Sequence, residues 1–277
     1  MGRILVGTSG FQYDDWRGVL YPEGLPQARW LARYAEVLGT VELNVTFYHL
    51  PTPAAAAHWR EVTPARFLFA VKGSRYLTHV KRLRDAGPGL RRFFRPLARL
   101  APKLAVVLWQ LPPRTRPDLE RLEAFLRRLP RSVRHAFEFR GEAWYGDAVC
   151  ELLDRHGAAF CEHDLVEVRP PRPTGGFRYL RFHGTAAGYS GRYGRAALRP
   201  VADDLRRWRR RGDAYVYFNN DVGGAAVRDA LELRALLAGP EAPGPRSPSR
   251  AARAGAPLTG GKGGIRTHDT GCPRILV

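Results

Sequence analysis

The chain has 277 residues, 44% of them apolar and 11% aromatic, which is enough for one large domain with a sizeable buried core. Its net charge of +19, from 45 basic against 26 acidic residues, raises a polyanion partner, but no run approaches the roughly 18 apolar residues a membrane helix needs. Cys150, Cys161 and Cys272 are odd in number and too scattered for a disulfide framework or a zinc site, and Gly7 and Gly10 break the first apolar run before it can act as a leader, so a cytoplasmic protein is expected.

The first predicted strand, 3–8, runs into Gly7-Thr8-Ser9-Gly10-Phe11. That turn matches neither the Gly-x-Gly-x-x-Gly dinucleotide turn nor the Gly-x-Ser-x-Gly elbow, so Ser9 is read as a turn or anion-contacting residue rather than a nucleophile. A helix follows over 26–38, then a strand over 40–45. Side chains alternate across a strand, so Val41, Leu43 and Val45 form an apolar face toward helices and leave Glu42 and Asn44 on the other. Helix 53–62 comes next, in which His58 and Trp59 read as packing residues, as does Trp109 further on. Strand 67–72 ends at Lys72, helix 88–100 follows, and strand 104–110 ends at Gln110.

Beyond helix 117–129, strand 134–140 turns Phe137 and Phe139 outward and Glu138 and Arg140 inward. Helix 146–156 leads to strand 158–164, which ends at Asp164, and residues 165–176 form a proline- and glycine-rich crossover without a helix. Strand 177–183 points Leu180 and Phe182 at helices and Arg181 and His183 inward. The glycine-rich stretch 188–194, with Tyr189 and Tyr193, reads as a mobile lid. Helix 199–211 carries a solvated arginine run at 206–211. Strand 214–220 buries Val216 and Phe218 outside and Tyr215, Tyr217 and Asn219 inside, and ends in Asn220-Asp221 before helix 223–238.

Residues 240–277 are rich in proline, glycine and arginine without periodicity and are expected to be disordered. Their stretch 263–270 reads like translation of the strand opposite a transfer-RNA T-arm, so the tail is also read as run-on translation or a gene-model artefact. It carries six basic and two acidic residues, leaving +15 on the body. Only four of the basic residues are lysines, Lys72, Lys81, Lys103 and Lys262, a skew that fits GC-rich coding.

Eight strands alternating with seven helices predict a single (β/α)₈ barrel over 1–239, a fold whose active sites lie at the carboxyl ends of the strands. Charges inside a barrel are costly unless paired or open to solvent at that mouth. Two readings follow. In one, Glu138 with Arg181 and Arg140 with Asp164 form a plug of salt bridges that only closes the barrel. In the favoured one the mouth is a ligand site, with Glu42, Glu138, Asp164 and His183 as acid–base candidates. Ser9, Asn44, Lys72, Gln110, Arg140, Arg181, Tyr189, Tyr193, Asn219, Asn220 and Asp221 are then the candidate substrate contacts. A divalent metal is disfavoured because Lys72, Arg140 and Arg181 would repel it. The same cations suit a phosphate- or sugar-bearing anionic substrate. A noncatalytic nucleic-acid-binding or interaction protein is the runner-up.

The chain also resembles the YecE-like family, known as domain of unknown function seventy-two, over about residues 4–238. The resemblance is carried by Gly7-Thr8-Ser9-Gly10-Phe11 with Tyr13 and Trp16, by Thr40-Val41-Glu42-Leu43-Asn44 through Thr46-Phe47-Tyr48, and by Thr63-Pro64 to Phe69-Ala70-Val71-Lys72 with Thr78-His79. It continues through Gln110-Leu111-Pro112-Pro113, Glu138-Phe139-Arg140 with Trp144, Arg181-Phe182-His183-Gly184, and Tyr217-Phe218-Asn219-Asn220-Asp221. It implies a (β/α)₈ barrel with a site at these strand ends, and no particular activity. Val45 departs from the family, which commonly has a small polar residue there.

Overall fold

The computed structural model describes residues 1–239; the expected disordered tail lies outside the described residues. All strand pairings are parallel. In chain order the strands are β1 (Ile4–Ser9), β2 (Thr40–Leu43), β3 (Leu68–Lys72), β4 (Leu104–Gln110), β5 (Arg134–Glu138), β6 (Ala158–Phe160), β7 (Glu162–His163), β8 (Arg178–Phe182) and β9 (Ala214–Phe218). The hydrogen-bonded order is β6-β5-β4-β3-β2-β1-β9-β8-β7. Its two ends, β6 and β7, are separated by the single residue Cys161, so the sheet returns on itself as a (β/α)₈ barrel.

The helices are α1 (Trp30–Val37), α2 (Val45–Tyr48), α3 (Pro53–Glu61), α4 (Ala86–Leu97), α5 (Leu119–Leu126), α6 (Asp147–Arg155), α7 (Gly194–Trp208) and α8 (Ala225–Ala238). Local chemistry sets several starts. Thr52 accepts a hydrogen bond from Ala55 N ahead of Pro53, and Asp118 accepts one from Arg121 N. No helix of the described residues is long and apolar enough to cross a membrane.

Two separate apolar clusters mark the two faces of the sheet. The outer one joins Val41, Leu43, Phe137, Phe139, Leu180, Phe182, Val216 and Phe218 to the helices. The inner one fills the barrel with Ala70, Val106, Leu108, Ala136, Ala159, Cys161, Phe177, Tyr179, Tyr215 and Tyr217. Small side chains on β3, β5 and β6 are met by the tyrosines of β8 and β9, so the interior packs without a uniform residue size.

Three sequence expectations are corrected. The sixth strand, expected as one run over 158–164, is divided: Ala158–Phe160 pairs with β5 and Glu162–His163 with β8, with Cys161 N donating to Phe137 O at the join. Val45 is not on a strand face. Asn44 takes a helical conformation (φ −82°, ψ −22°), β2 stops at Leu43, and Val45 opens α2 with its side chain exposed. His58 is exposed on α3 rather than packed, whereas Trp109 is fully buried in the outer core.

Candidate functional site

The carboxyl ends of β2, β5 and β8 converge on one guanidinium. Arg181 is 1% exposed and sits between Glu42 and Glu138, both inaccessible to solvent. Its Nη2 and Nε donate to Glu42 Oε1 at 2.8 and 3.2 Å, and its Nη1 donates to Glu138 Oε2 at 2.6 Å. Glu42 accepts further from Ser9 Oγ at 2.6 Å and from the Tyr179 hydroxyl, while Arg140 Nε donates to Glu138 Oε1 at 2.7 Å. Burial pushes Glu138 up, but Arg181 and Arg140 outweigh it and hold its carboxyl well below the usual range. Four strands thus tie together a rigid, ion-paired floor.

His183 stands beside this floor. Arg181 Nη1, which only donates, lies 3.1 Å from His183 Nε2, and His183 Nδ1 lies 2.9 Å from Asp164 Oδ1. The proton therefore belongs on Nδ1, with Nε2 accepting. Burial is the main force on this imidazole and lowers its pKa to about 4 despite the Asp164 hydrogen bond, so the ring is neutral. Asp164 also accepts from the backbone N of His183 and from the Tyr193 hydroxyl, which in turn accepts from Gly184 N at 2.7 Å. Of the pairs foreseen for a plug, Glu138 with Arg181 forms; Arg140 pairs with Glu138 rather than with Asp164.

Around the floor lie groups with unfilled valences. Lys72, at the end of β3, has its ammonium 4.5 Å from the centre of the Phe47 ring and no ion pair or hydrogen bond for that ammonium among the described residues. Phe47 is brought there by α2, which Thr46 ties to Leu43 O and Lys72 O at 2.8 and 2.6 Å. Burial lowers Lys72 to about 8, with Arg181 and Arg140 pushing the same way against Glu138 and Glu42. Asn44 Oδ1 and Asp221 Oδ1 are buried without a hydrogen-bond partner among the described residues. Burial raises Asp221 to about 7, partly opposed by the neighbouring Tyr13 hydroxyl and by Arg181. Gln110, 4% exposed, donates from Nε2 to Leu111 O at 2.8 Å, and Asn219, the residue after β9, is half-buried.

The stretch over the mouth is a short hairpin with an antiparallel bridge between Ala186 and Ser190. Its tip presents Tyr189, 42% exposed at a positive φ of 59°, with its ring 5.7 Å from that of His183. Gly184 permits the close return of the chain: at φ +108°, a Cβ there would stand 2.1 Å from Ser190 O. Asn220 faces away from the mouth. Its Nδ2 donates to Gly191 O at 2.8 Å and to Asp229 Oδ2 at 2.9 Å, and buried Asp229 also accepts from Tyr193 N and Gly194 N. Asn220 therefore anchors the hairpin base rather than lining the site.

Several participants went unforeseen. Tyr179 follows the same inward parity as Arg181 and was legible by extending that alternation toward the start of β8, whereas His163, at the end of β7 and one residue before Asp164, was not. His79 packs edge-on against Phe47 at 5.0 Å, and burial, then Lys72, lowers it to about 4. Asp229 carried no sequence signal. No group of three or more His, Cys, Asp or Glu side chains among the described residues is gathered as metal ligands. The 206–211 arginine run is exposed at the end of α7, where Arg206 and Arg207 pair with Asp203 and Asp204.

Residues 5–252 match the family described as Protein of unknown function DUF72. The chain belongs to this family. The match runs past the 4–238 stretch whose residues carried the resemblance. A DUF72 family protein from Thermotoga maritima MSB8 is 31% identical, with a TM-score of 0.76, covering 85% of this chain and 99% of that one. One from Enterococcus faecalis V583, 18% identical with a TM-score of 0.73 and covering 85% and 95%, shares the fold. The UPF0759 protein YecE of Escherichia coli (strain K12) is 33% identical over 128 residues, 42% of this chain, so the alignment spans about half of YecE, at 47%. The UPF0759 protein YunF of Bacillus subtilis (strain 168) is 26% identical over 84% of this chain and 94% of its own length.

Proposed function

We propose that this DUF72 protein is an enzyme whose barrel mouth binds an anionic or polyhydroxylated small molecule and acts on it by proton transfer. One observation carries the reading: buried or half-buried polar groups, Asn44 Oδ1, Asp221 Oδ1 and the Lys72 ammonium, surround an ion-paired floor without partners of their own. Each unpartnered buried polar atom costs about 1–3 kcal/mol. A third such oxygen, Asn220 Oδ1, lies at the hairpin base, but the two at the mouth can accept from ligand hydroxyls while Lys72 donates to a phosphate oxygen.

The roles follow from the electrostatics. Arg181, Glu42 and Glu138 hold one another and position Arg140, the guanidinium nearest solvent, to fork onto an anionic group. Neutral His183, with both ring nitrogens engaged by Arg181 and Asp164, positions Arg181 and is not the base. Asp221, titrating near neutrality, exchanges the proton. Tyr189 closes over the bound molecule.

The test begins with sugar phosphates and free sugars offered to the purified protein in calorimetry, followed by turnover assays on those that bind. Asn44→Ala is expected to weaken binding about 5- to 150-fold, equivalent to about 1–3 kcal/mol. Asp221→Asn is expected to cut kcat about 10²–10⁴-fold with binding retained. The reading fails if both variants, folded, bind and turn over as the parent does.

A further inference from the structure

We infer that Lys72 is a nucleophile whose side-chain amine captures an aldehyde or ketone carbonyl of the substrate as an imine. The inference rests on the mouth being the substrate site and adds the substrate class, an anionic carbonyl compound such as an aldehydic sugar phosphate. Two lysines among the described residues lie largely in the interior, and they contrast. Lys103, 7% exposed, gives its ammonium three acceptors: Arg60 O at 2.5 Å, Thr63 O at 2.7 Å and Thr63 Oγ1 at 3.0 Å. That is how a structural lysine keeps its charge in an interior. Lys72 receives no such acceptor and lies instead over the face of Phe47.

A lysine retained only as a fixed cation for an anionic group gains nothing from losing its proton. The mouth already holds two guanidinium groups that keep theirs, Arg140 and Arg181. Lys72 stands among those two cations at the half-buried end of β3, open enough to meet a ligand. Both burial and the guanidinium groups favour the neutral amine, which is the reactive form. A fall from 10.5 to about 8 raises the free-amine fraction at pH 7 about 300-fold.

The step balances without a co-reactant. The Lys72 Nζ lone pair forms a bond to the carbonyl carbon while the carbonyl π electrons move to oxygen. Proton transfer from nitrogen to that oxygen gives a carbinolamine. Protonation of its hydroxyl, by solvent or by the Asp221 carboxyl, releases one water and leaves a C=N⁺ bond. That cationic imine draws electrons from the adjacent carbon, so proton removal or carbon–carbon cleavage there becomes accessible.

Glyceraldehyde 3-phosphate with sodium cyanoborohydride at pH 7 reads the step, because reduction fixes the imine and peptide mass spectrometry names the lysine. The chain has four lysines, and Lys81, half-buried and ion-paired to Asp85, is the internal reference. Labelling of Lys72 at least tenfold faster than Lys81 is expected. In Lys72→Arg that label disappears while glycerol 3-phosphate, which lacks the carbonyl, still binds in ligand-observed NMR. Equal labelling of Lys72 and Lys81 with glycerol 3-phosphate bound overturns the nucleophile and leaves the mouth as a substrate site. Equal labelling with no binding of either phosphate overturns both.

Discussion

Arg181→Met tests the floor of the mouth most directly. The guanidinium is 1% exposed and makes three contacts of 2.6–3.2 Å to two carboxylates that are fully buried. Removing it leaves Glu42 without an ionic partner and Glu138 with Arg140 alone, a loss of about 3–5 kcal/mol from a typical total of about 5–15. In a chain of this size each kcal/mol lowers Tm by about 2–4 °C, so a drop of about 6–20 °C is expected in a thermal melt. The pH dependence gives the sharper signature. In the parent, Glu138 sits below its unfolded value, so its contribution is complete above about pH 4.5 and is lost only as pH falls through the lowered folded value. Without Arg181, burial, the largest single influence on Glu138, is opposed mainly by Arg140 and drives the carboxyl upward, so the folded variant binds protons that the unfolded chain does not. The variant then gains stability between pH 7 and pH 5 while the parent does not, and the difference narrows. Adding Glu42→Gln and Glu138→Gln to Arg181→Met, which removes the orphaned charges, is expected to recover more than half the loss at pH 7. Urea denaturation at both pH values decides the matter. A loss under about 1 kcal/mol, or an equal loss at pH 5 and pH 7, refutes the account of a charge-compensated floor.

Asp229→Ala is expected to cost about 3 kcal/mol and to raise amide exchange across 184–194, because three donors, Tyr193 N, Gly194 N and Asn220 Nδ2, lose their shared acceptor. Unchanged exchange there would show that the hairpin is held by other means. Asp221→Asn is expected to stabilise the fold above pH 7 and to leave it unchanged near pH 4. The carboxyl is raised from 3.8 to about 7, so its native-state advantage is full below 3.8 and lost as pH rises through 7. Denaturation curves with no pH-dependent difference between parent and variant would contradict this. Gly184→Ala is expected to displace the hairpin, since its Cβ would stand 2.1 Å from a backbone oxygen. A Tm within 1 °C of the parent would mean that the chain returns less closely there.

Much of this architecture was legible because a strand's period of two leaves little freedom once one face is apolar. Phe137 and Phe139, Leu180 and Phe182, and Val216 and Phe218 mark the outside, and Glu138 and Arg181 follow as inside residues by elimination. Parity does not report where a strand stops. Val45 reads as a strand residue because valine suits strands, but the helical turn at Asn44 removes it and installs Phe47 against Lys72. Nor does parity report partners. Arg140 was matched to Asp164 on charge alone, whereas the two-residue separation from Glu138 on one face brings their side chains together. Asn220 looked like a site residue from its neighbours Asn219 and Asp221, yet it follows β9 in step with outward-facing Val216 and Phe218 and binds Asp229 of α8. His183 looked titratable, and its burial between Arg181 and Asp164 became visible only in three dimensions.

The single guanidinium shared by the ends of β2, β5 and β8 has an evolutionary corollary. Glu42, Glu138 and Arg181 are far apart in the chain, but none can be exchanged alone without stranding a charge. Selection therefore sees one trait where the gene has three codons. Lineages are expected to keep the trio intact or to replace it wholesale, while the rim bearing Asn44, Lys72, Tyr189 and Asp221 varies by independent steps. New ligand preferences can then arise at the rim without reopening the barrel beneath it.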